Sequence, residues 1–360
     1  MSENKKDEIK YFSAKPPFIN RIAEKKYFLE YFNSTPTNIL FVYGPKSTGK
    51  TTLIKKIIKE DLDEKKFAVS YLNMRERQIL KFKDFKSVFF PESLKGKIRT
   101  IVGGIKINLG FFGWDIDDES LLREDVFAVM SQKLEEANKN GIKPVIILDE
   151  FQYLKDIYLD DAKEVKLIEE LFKFFIAITK QNNLAHVVCL TSDSYYLEEL
   201  YSDTKLGNTS RFYLIEHLSK KDIFYWLEER EKIDKKTVEK IWKNLGGSVW
   251  EVWQVLVSYK NTGDYKNILN DLLQTKYGLI KEWYYFKSDE KKQKDFLKVI
   301  KEIVKSQKFI IGDDGIINFE LIKELVDKDI WFYDAKKGKI TANSKSFEIV
   351  FKKLLKNLKI

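Results

Sequence analysis

The stretch Gly44-Pro45-Lys46-Ser47-Thr48-Gly49-Lys50-Thr51 has the spacing G-x-x-x-x-G-K-T of a phosphate-binding loop. An apolar run, Ile39-Leu40-Phe41-Val42-Tyr43, precedes it. Leu53, Ile54, Ile57 and Ile58 follow among lysines at the spacing of an amphipathic helix. Strand, loop and helix in that order are the context in which the motif has meaning. They predict an α/β fold with a parallel sheet core.

The residue types follow from the ligand. Triphosphate oxygens crowd the backbone, so Gly44 and Gly49 can supply positive φ and close approach, and the amides of residues 46 to 51 can point inward as donors. The expected cradle is Gly44, Pro45, Lys46, Ser47, Thr48, Gly49, Lys50, Thr51 and Thr52, with the anion on the positive end of a helix that begins near Lys50. Lys50 would bridge the β- and γ-phosphates. The Thr51 hydroxyl would be one ligand of an octahedral Mg²⁺.

A second segment, Pro144-Val145-Ile146-Ile147-Leu148-Asp149-Glu150, has the unbroken apolar run of a strand buried on both faces of a parallel sheet. Its acids emerge at the C-terminal edge, where open α/β sheets bind ligands. Asp149 would hold the Mg²⁺ through its water shell, and Glu150 would orient and deprotonate an attacking water. An acidic strand end is common by itself; paired with a phosphate loop it is diagnostic.

A further apolar run, Ala185-His186-Val187-Val188-Cys189-Leu190, ends in Thr191-Ser192-Asp193-Ser194. Ser192 and Asp193 are candidates to bond the γ-phosphate or the lytic water, against the alternative of an ordinary strand-end turn. Arg211, before Phe212-Tyr213-Leu214-Ile215, is a candidate to stabilise charge on the transferring phosphoryl group in its own subunit or a neighbour's; a surface salt bridge is the competing reading. His186 and His217, the only histidines, read as structural or surface residues.

The chain has 360 residues, 44% of them hydrophobic and 14% aromatic, ample for packed cores in two or three domains. Lysine and arginine exceed the acids by nine, with pI near 9.0. That surplus suits a polyanion partner, or simply a solvated lysine-rich surface. One cysteine, Cys189, excludes an intrachain disulfide or Cys-based zinc framework. Lack of a signal peptide or a membrane-length apolar run sets the expectation of a cytoplasmic protein without membrane contact.

Residues 79 to 118 break the α/β alternation and read as a hairpin or insertion, and a helix is expected from about Asp118 to Asn138. Beyond Ser219-Lys220-Lys221-Asp222, which has a capping-box spacing, short helices carry Trp226, Trp242, Trp250 and Trp253, a stripe that reads as core. Further helices then lead to Ile330-Trp331-Phe332-Tyr333 and Ile340-Thr341-Ala342. Helices followed by a hairpin suggest a winged helix, a fold that serves DNA binding or partner packing.

These residues together resemble the archaeal ATPase family within the P-loop AAA+/STAND group. The resemblance rests on Phe18-Ile19-Asn20-Arg21 with Glu24, the loop GPKSTGKT, VIILDEFQYL from 145, LTSDSYYLEELY from 190 and LVDKDIWFYD near the C-terminus. It implies an ATP-binding α/β domain over residues 1–218, a helical lid over 219–285 and a winged helix over 286–360. Two departures stand out: Gly207 and Arg211 are separated where the family often has Gly-Arg, and Gly246-Gly247-Ser248 is followed by Val249 rather than proline. The leading expectation is a Mg²⁺-dependent ATP-hydrolysing switch that couples nucleotide state to the winged helix. The alternative is a DNA-binding regulator that uses ATP for conformation or assembly. Expected partners are ATP, duplex DNA through residues 286–360, or another protein, with oligomerisation open. Lys323, Lys328, Lys336, Lys337, Lys339 and Lys345 are the candidate DNA-facing charges.

Overall fold

The computed structural model describes residues 15–76, 78–82, 84–85, 99–102, 105–108, 125–160, 162–202 and 204–360. The described chain forms two compact units. One comprises Arg21–Glu216 with Phe309–Thr341; the other comprises His217–Lys308 and Ala342–Ile360 with the described residues up to Asn20.

In the first unit the chain runs α1 (Ile22–Asn33), β1 (Ile39–Tyr43), α2 (Lys50–Glu60), β2 (Phe67–Asn73), β3 (Arg99–Val102), β4 (Ile105–Asn108), α3 (Val126–Lys139), β5 (Lys143–Asp149), α4 (Leu167–Ile176), β6 (His186–Leu190), α5 (Ser194–Ser202), α6 (Thr204–Gly207) and β7 (Ser210–Leu214). The strands form one sheet in the order β3-β4-β2-β5-β6-β1-β7. All its pairings are parallel except that of β3 with β4. Parallel strands need both faces covered, and β1, β6 and Val145–Leu148 of β5 are wholly buried. The register sets Asn73 beside Asp149 and Asp149 beside Leu190, so β2, β5 and β6 end level with one another.

Aromatic side chains fill one face of this sheet. Phe41 packs edge-on to Phe172 with centroids 5.6 Å apart and lies at the same separation from Phe151. Each fully buried phenylalanine contributes roughly 2–3 kcal/mol through the surface it removes from water. Strands β3 and β4 pair antiparallel at the sheet edge, Arg99 opposite Asn108 and Val102 opposite Ile105. Phe89-Phe90, Gly103-Gly104 and Leu109 to Trp114 lie outside the described residues, as does the expected helix start at residues 118–124. Helix α3 instead begins at Val126, where the Asp125 carboxylate accepts the Phe127 N–H at 2.9 Å.

The same unit holds β8 (Phe309–Ile310), α12 (Phe319–Asp327), β9 (Trp331–Asp334) and β10 (Lys339–Ala342), whose strands form a small sheet in the order β8-β10-β9. Phe332 joins the core of the large sheet, the Tyr333 N–H donates to Ser194 Oγ at 3.2 Å, and the Tyr43 hydroxyl donates to Asp334 Oδ1 at 2.9 Å.

The second unit contains α7 (Lys220–Phe224), α8 (Lys235–Leu245), α9 (Val249–Thr262), α10 (Lys266–Glu282), α11 (Glu290–Ser306) and α13 (Lys345–Leu358). A reciprocal capping box between Ser219 and Asp222 starts α7, and Asp234 caps α8. Trp226 and Trp253 stack in its core, whereas Trp250 is 45% exposed. Gly247 is required where it stands, because a Cβ there would lie 1.9 Å from the Leu218 carbonyl oxygen. Glu251 of α9 accepts from Lys276 of α10 at 2.6 Å and from Ser346 of α13 at 2.8 Å, tying three helices together. The C-terminal residues are thus divided: α11 and α13 belong to the helical unit, and residues Phe309–Thr341 to the sheet unit.

Candidate nucleotide site

Strand β1 ends at Tyr43 and the chain turns at Gly44, where φ is 153° and a Cβ would meet the Ile215 carbonyl oxygen at 2.1 Å. Only glycine fits, because backbone from the neighbouring strand fills the space a side chain would take. Pro45 and Thr48 are buried, Lys46 and Ser47 exposed, and Gly49, with φ 88°, opens helix α2. Lys50 lies back over the loop, its Nζ donating to the Gly44 carbonyl at 2.9 Å and the Pro45 carbonyl at 3.1 Å. Burial lowers its pKa to about 8, opposed by the nearby Glu150 and Asp149 carboxylates. Thr51 is half-buried and faces the acids; Thr52 is exposed.

Arg21 is a loop residue that motif reading did not single out as a site. Its backbone is left-handed (φ 73°) and its side chain buried, donating to the Thr48 carbonyl at 2.7 Å and the Glu216 carbonyl at 2.8 Å, with Glu24 at 2.7 Å. It clamps the phosphate loop to the chain that leaves β7. Its signal in the sequence was the Asn20-Arg21 pair with Glu24.

Asp149 ends β5. Its Oδ2 accepts from the Thr51 hydroxyl at 2.7 Å and from the Tyr71 hydroxyl at 2.5 Å. Burial raises its pKa, and the two hydroxyl donors oppose the shift. Burial and the Asp149 carboxylate push the Tyr71 hydroxyl above its ordinary range, which keeps it a donor. Thr51 and Asp149, the two expected metal residues, therefore meet directly. A hydroxyl and a carboxylate at a loop of this kind are the hard oxygen donors that suit Mg²⁺.

Glu150 has a left-handed backbone, φ 58° and ψ 44°, and is 9% exposed. Its Oε1 is ion-paired with Arg75 Nη2 at 3.0 Å, and its Oε2 accepts from Gln152 Nε2 at 2.6 Å and Ser192 Oγ at 3.0 Å. Ser192 is thus brought to the acid. Asp193 lies beside it, with Oδ1 accepting the Tyr196 N–H at 2.9 Å and so capping α5.

Arg211 is not brought to the loop of its own chain. It pairs with Leu40 in the register of β7 against β1, four residues short of Gly44, or about 13 Å at the rise of a strand. Its exposed side chain interacts with the Tyr27 hydroxyl instead. The histidines make backbone contacts: His186 Nε2 lies 3.2 Å from the Ser34 carbonyl and His217 Nε2 2.8 Å from that of Asn343.

A glycine-bounded loop on a helix N-terminus, with a lysine above it and two acids at the end of a buried strand one place removed from β1 in the sheet, defines a phosphate-loop ATPase core. An ATPase domain described as predominantly from Archaea matches residues 18–255, and the chain belongs to that family. Two uncharacterized ATP-binding proteins of Methanocaldococcus jannaschii are similar to it. One is 31% identical over 91% of this chain and 96% of its own length; the other is 33% identical over 91% of each. Among solved structures, a Walker-type ATPase of Pyrococcus abyssi superposes with a TM-score of 0.61 at 16% identity, covering 94% of this chain and 99% of that one. The ORC2 protein of Aeropyrum pernix, seen as ADPNP–ADP complexes, gives 0.52 at 11% identity, covering 98% and 97%. At those identities the likeness is one of fold.

Proposed function

We propose that the chain is a Mg²⁺-dependent ATPase that acts as a molecular switch. The observation that carries this reading is the convergence of Lys50, Thr51, Asp149 and Glu150 on one loop from two distant segments. The names of the relatives favour ATP as the nucleotide. Loop amides and Lys50 would bind the phosphates, and Thr51 and Asp149 would hold Mg²⁺, which when bound neutralises phosphate charge. Glu150 would orient and deprotonate water, with Ser192 and Asp193 set beside it. Arg211, exposed on the edge strand β7, would serve the nucleotide of a neighbouring copy, so ATP-dependent oligomerisation is its sign. Residues 219–285 would act as the lid, and of the winged helix expected over 286–360 the segment Phe309–Thr341, which lies in the sheet unit, would read nucleotide state.

Phosphate release from ATP and Mg²⁺ tests the reading. Wild type should turn over, Lys50→Ala should lose both binding and turnover, and Glu150→Gln should bind ATP while losing turnover. Equal rates in all three would overturn it.

A second reading, a DNA-binding regulator that uses ATP for shape, is favoured by the exposed Lys352, Lys353 and Lys356 along α13 and Lys359 just past its end. Lys345 belongs to the same helix, whereas Lys323, Lys328, Lys336, Lys337 and Lys339 lie in the sheet unit and would contribute there. Duplex DNA affinity should then fall steeply with salt and weaken when the α13 lysines become alanine. Turnover raised by DNA would join the two readings; absent or salt-insensitive binding would leave a protein-directed switch.

A further inference from the structure

We propose that Gln152 is a positioning residue that ties the loop after β6 to the Glu150 carboxylate through a hydrogen-bond chain of fixed direction. The proposal rests on the ATPase reading for its kinetic consequence, but the chain itself stands on geometry. Gln152 is 8% exposed and Thr191 1% exposed, so neither can turn to water for a partner.

The direction follows from what each group can do. The Asp193 N–H can only donate, and it donates to Thr191 Oγ1 at 2.9 Å. The single hydroxyl proton of Thr191 then points to Gln152 Oε1 at 2.8 Å; its other acceptor, the Asp193 carbonyl, is at 3.4 Å, the edge of hydrogen-bonding range. With its carbonyl taken, the Gln152 amide presents NH₂ to Glu150 Oε2 at 2.6 Å. A flipped amide would set Oε1 against the Glu150 carboxylate, oxygen against oxygen at 2.6 Å, and leave the Thr191 proton only the Asp193 carbonyl at 3.4 Å. Every link has only one consistent sense.

The chain is anchored at its far end. The Thr191 N–H donates to the Val42 carbonyl at 3.0 Å, so the strand that carries the phosphate loop holds Thr191 in place. Ser192 Oγ reaches the same Oε2 as Gln152, at 3.0 Å. Two of the three donors on Glu150 therefore depend on residues 191–193, and a γ-phosphate that displaces this loop would move the carboxylate with it. Gln152 touches neither phosphate nor water in this scheme. It acts through Glu150.

The experiment combines kinetics with a spectroscopic signature on the full chain. Gln152→Ala and Thr191→Val should each lower kcat about tenfold while KM for ATP stays within about twofold, because the lost bond to a charged group bears on the base and not on the phosphates. Their double variant should be no slower than either single, and Thr191→Ser, which keeps the hydroxyl, should keep wild-type kcat. Additive losses, or an unchanged kcat in Thr191→Val, would overturn the proposal. In ¹⁵N spectra the Gln152 side-chain amide, assigned by its disappearance in Gln152→Ala, should shift and exchange faster with water in Thr191→Val and in Glu150→Ala. A resonance that does not move overturns the chain whether or not ATP is hydrolysed. If wild type shows no turnover and the resonance moves, the chain stands and the ATPase reading falls.

Discussion

Lys46 of the phosphate loop is ion-paired with Asp329, a residue in the turn after helix α12. Asp329 has a left-handed backbone, φ 54°, and its charge also acts on Lys50. A carboxylate is therefore held against the loop that the proposed function fills with phosphate. The two anions would compete for the same cation.

Asp329→Ala should accordingly tighten ATP binding. Both partners are substantially exposed, 53% and 36%, so the pair contributes at most about 1 kcal/mol, or about fivefold in Kd at low salt. Titration with a fluorescent ATP analogue at low and at high ionic strength checks this, since screening should erase the difference. Weaker binding by the variant would mean that Asp329 supports the loop rather than competing for it.

Tyr43 and Asp334 should behave as a coupled pair. Asp334 is fully buried, and the Tyr43 hydroxyl donates to its Oδ1 at 2.9 Å while Lys337 stands off at 4.0 Å from Oδ2. Tyr43→Phe should destabilise the protein by about 1–3 kcal/mol, because the carboxylate stays buried and loses a donor. Urea melts of Tyr43→Phe, Asp334→Leu and the double variant measure it, and the double should lose less than the sum of the singles.

Gly44→Ala should cost roughly 2–4 kcal/mol, since a Cβ 2.1 Å from the Ile215 carbonyl oxygen forces the loop away from β7. Thermal melting and ATP binding should fall together. Lys50→Ala offers the contrast, losing nucleotide while keeping its melting temperature. A Gly44→Ala protein as stable as wild type would show that the loop moves more easily than this packing implies.

Stability should fall with acid through His186. Burial first, and the Lys143 charge next, lower its pKa to about 4, while the Ser34 carbonyl opposes the shift. An unfolded histidine titrates near 6.5, so between about pH 6.5 and 4 the unfolded chain binds the proton and the folded one does not. The contribution is complete above pH 6.5, reduced by about 2 kcal/mol at pH 5, and constant below about 4. Urea unfolding at pH 7 and pH 5 should show a smaller difference in His186→Leu than in wild type; equal differences would assign the acid sensitivity to other groups.

The phosphate loop, the buried strand ending in Asp149-Glu150 and the parallel α/β core were legible because each is written in contiguous residues. A glycine spacing, four apolar residues in a row and an amphipathic repeat are local signals, and the chemistry of a phosphate leaves little choice of side chain. The partners of the acids were not legible. Tyr71 and Arg75 reach Asp149 and Glu150 because β2 lies beside β5 with Asn73 level with Asp149, and nothing within β2 announces its neighbour.

Arg211 shows the same limit from the other side. Its place before an apolar run was visible, but whether a residue stands level with the loop or about 13 Å below it depends on strand register, which the chain sets only by pairing β7 with β1. By itself, then, the sequence determined the family, the loop and the acids, since short-range spacing and backbone chemistry suffice for those. Tertiary structure alone decided that Asp329 meets Lys46, that Thr191 turns the Gln152 amide toward Glu150 and that Arg211 stands below the loop, because each depends on where packing sets residues far apart in the chain.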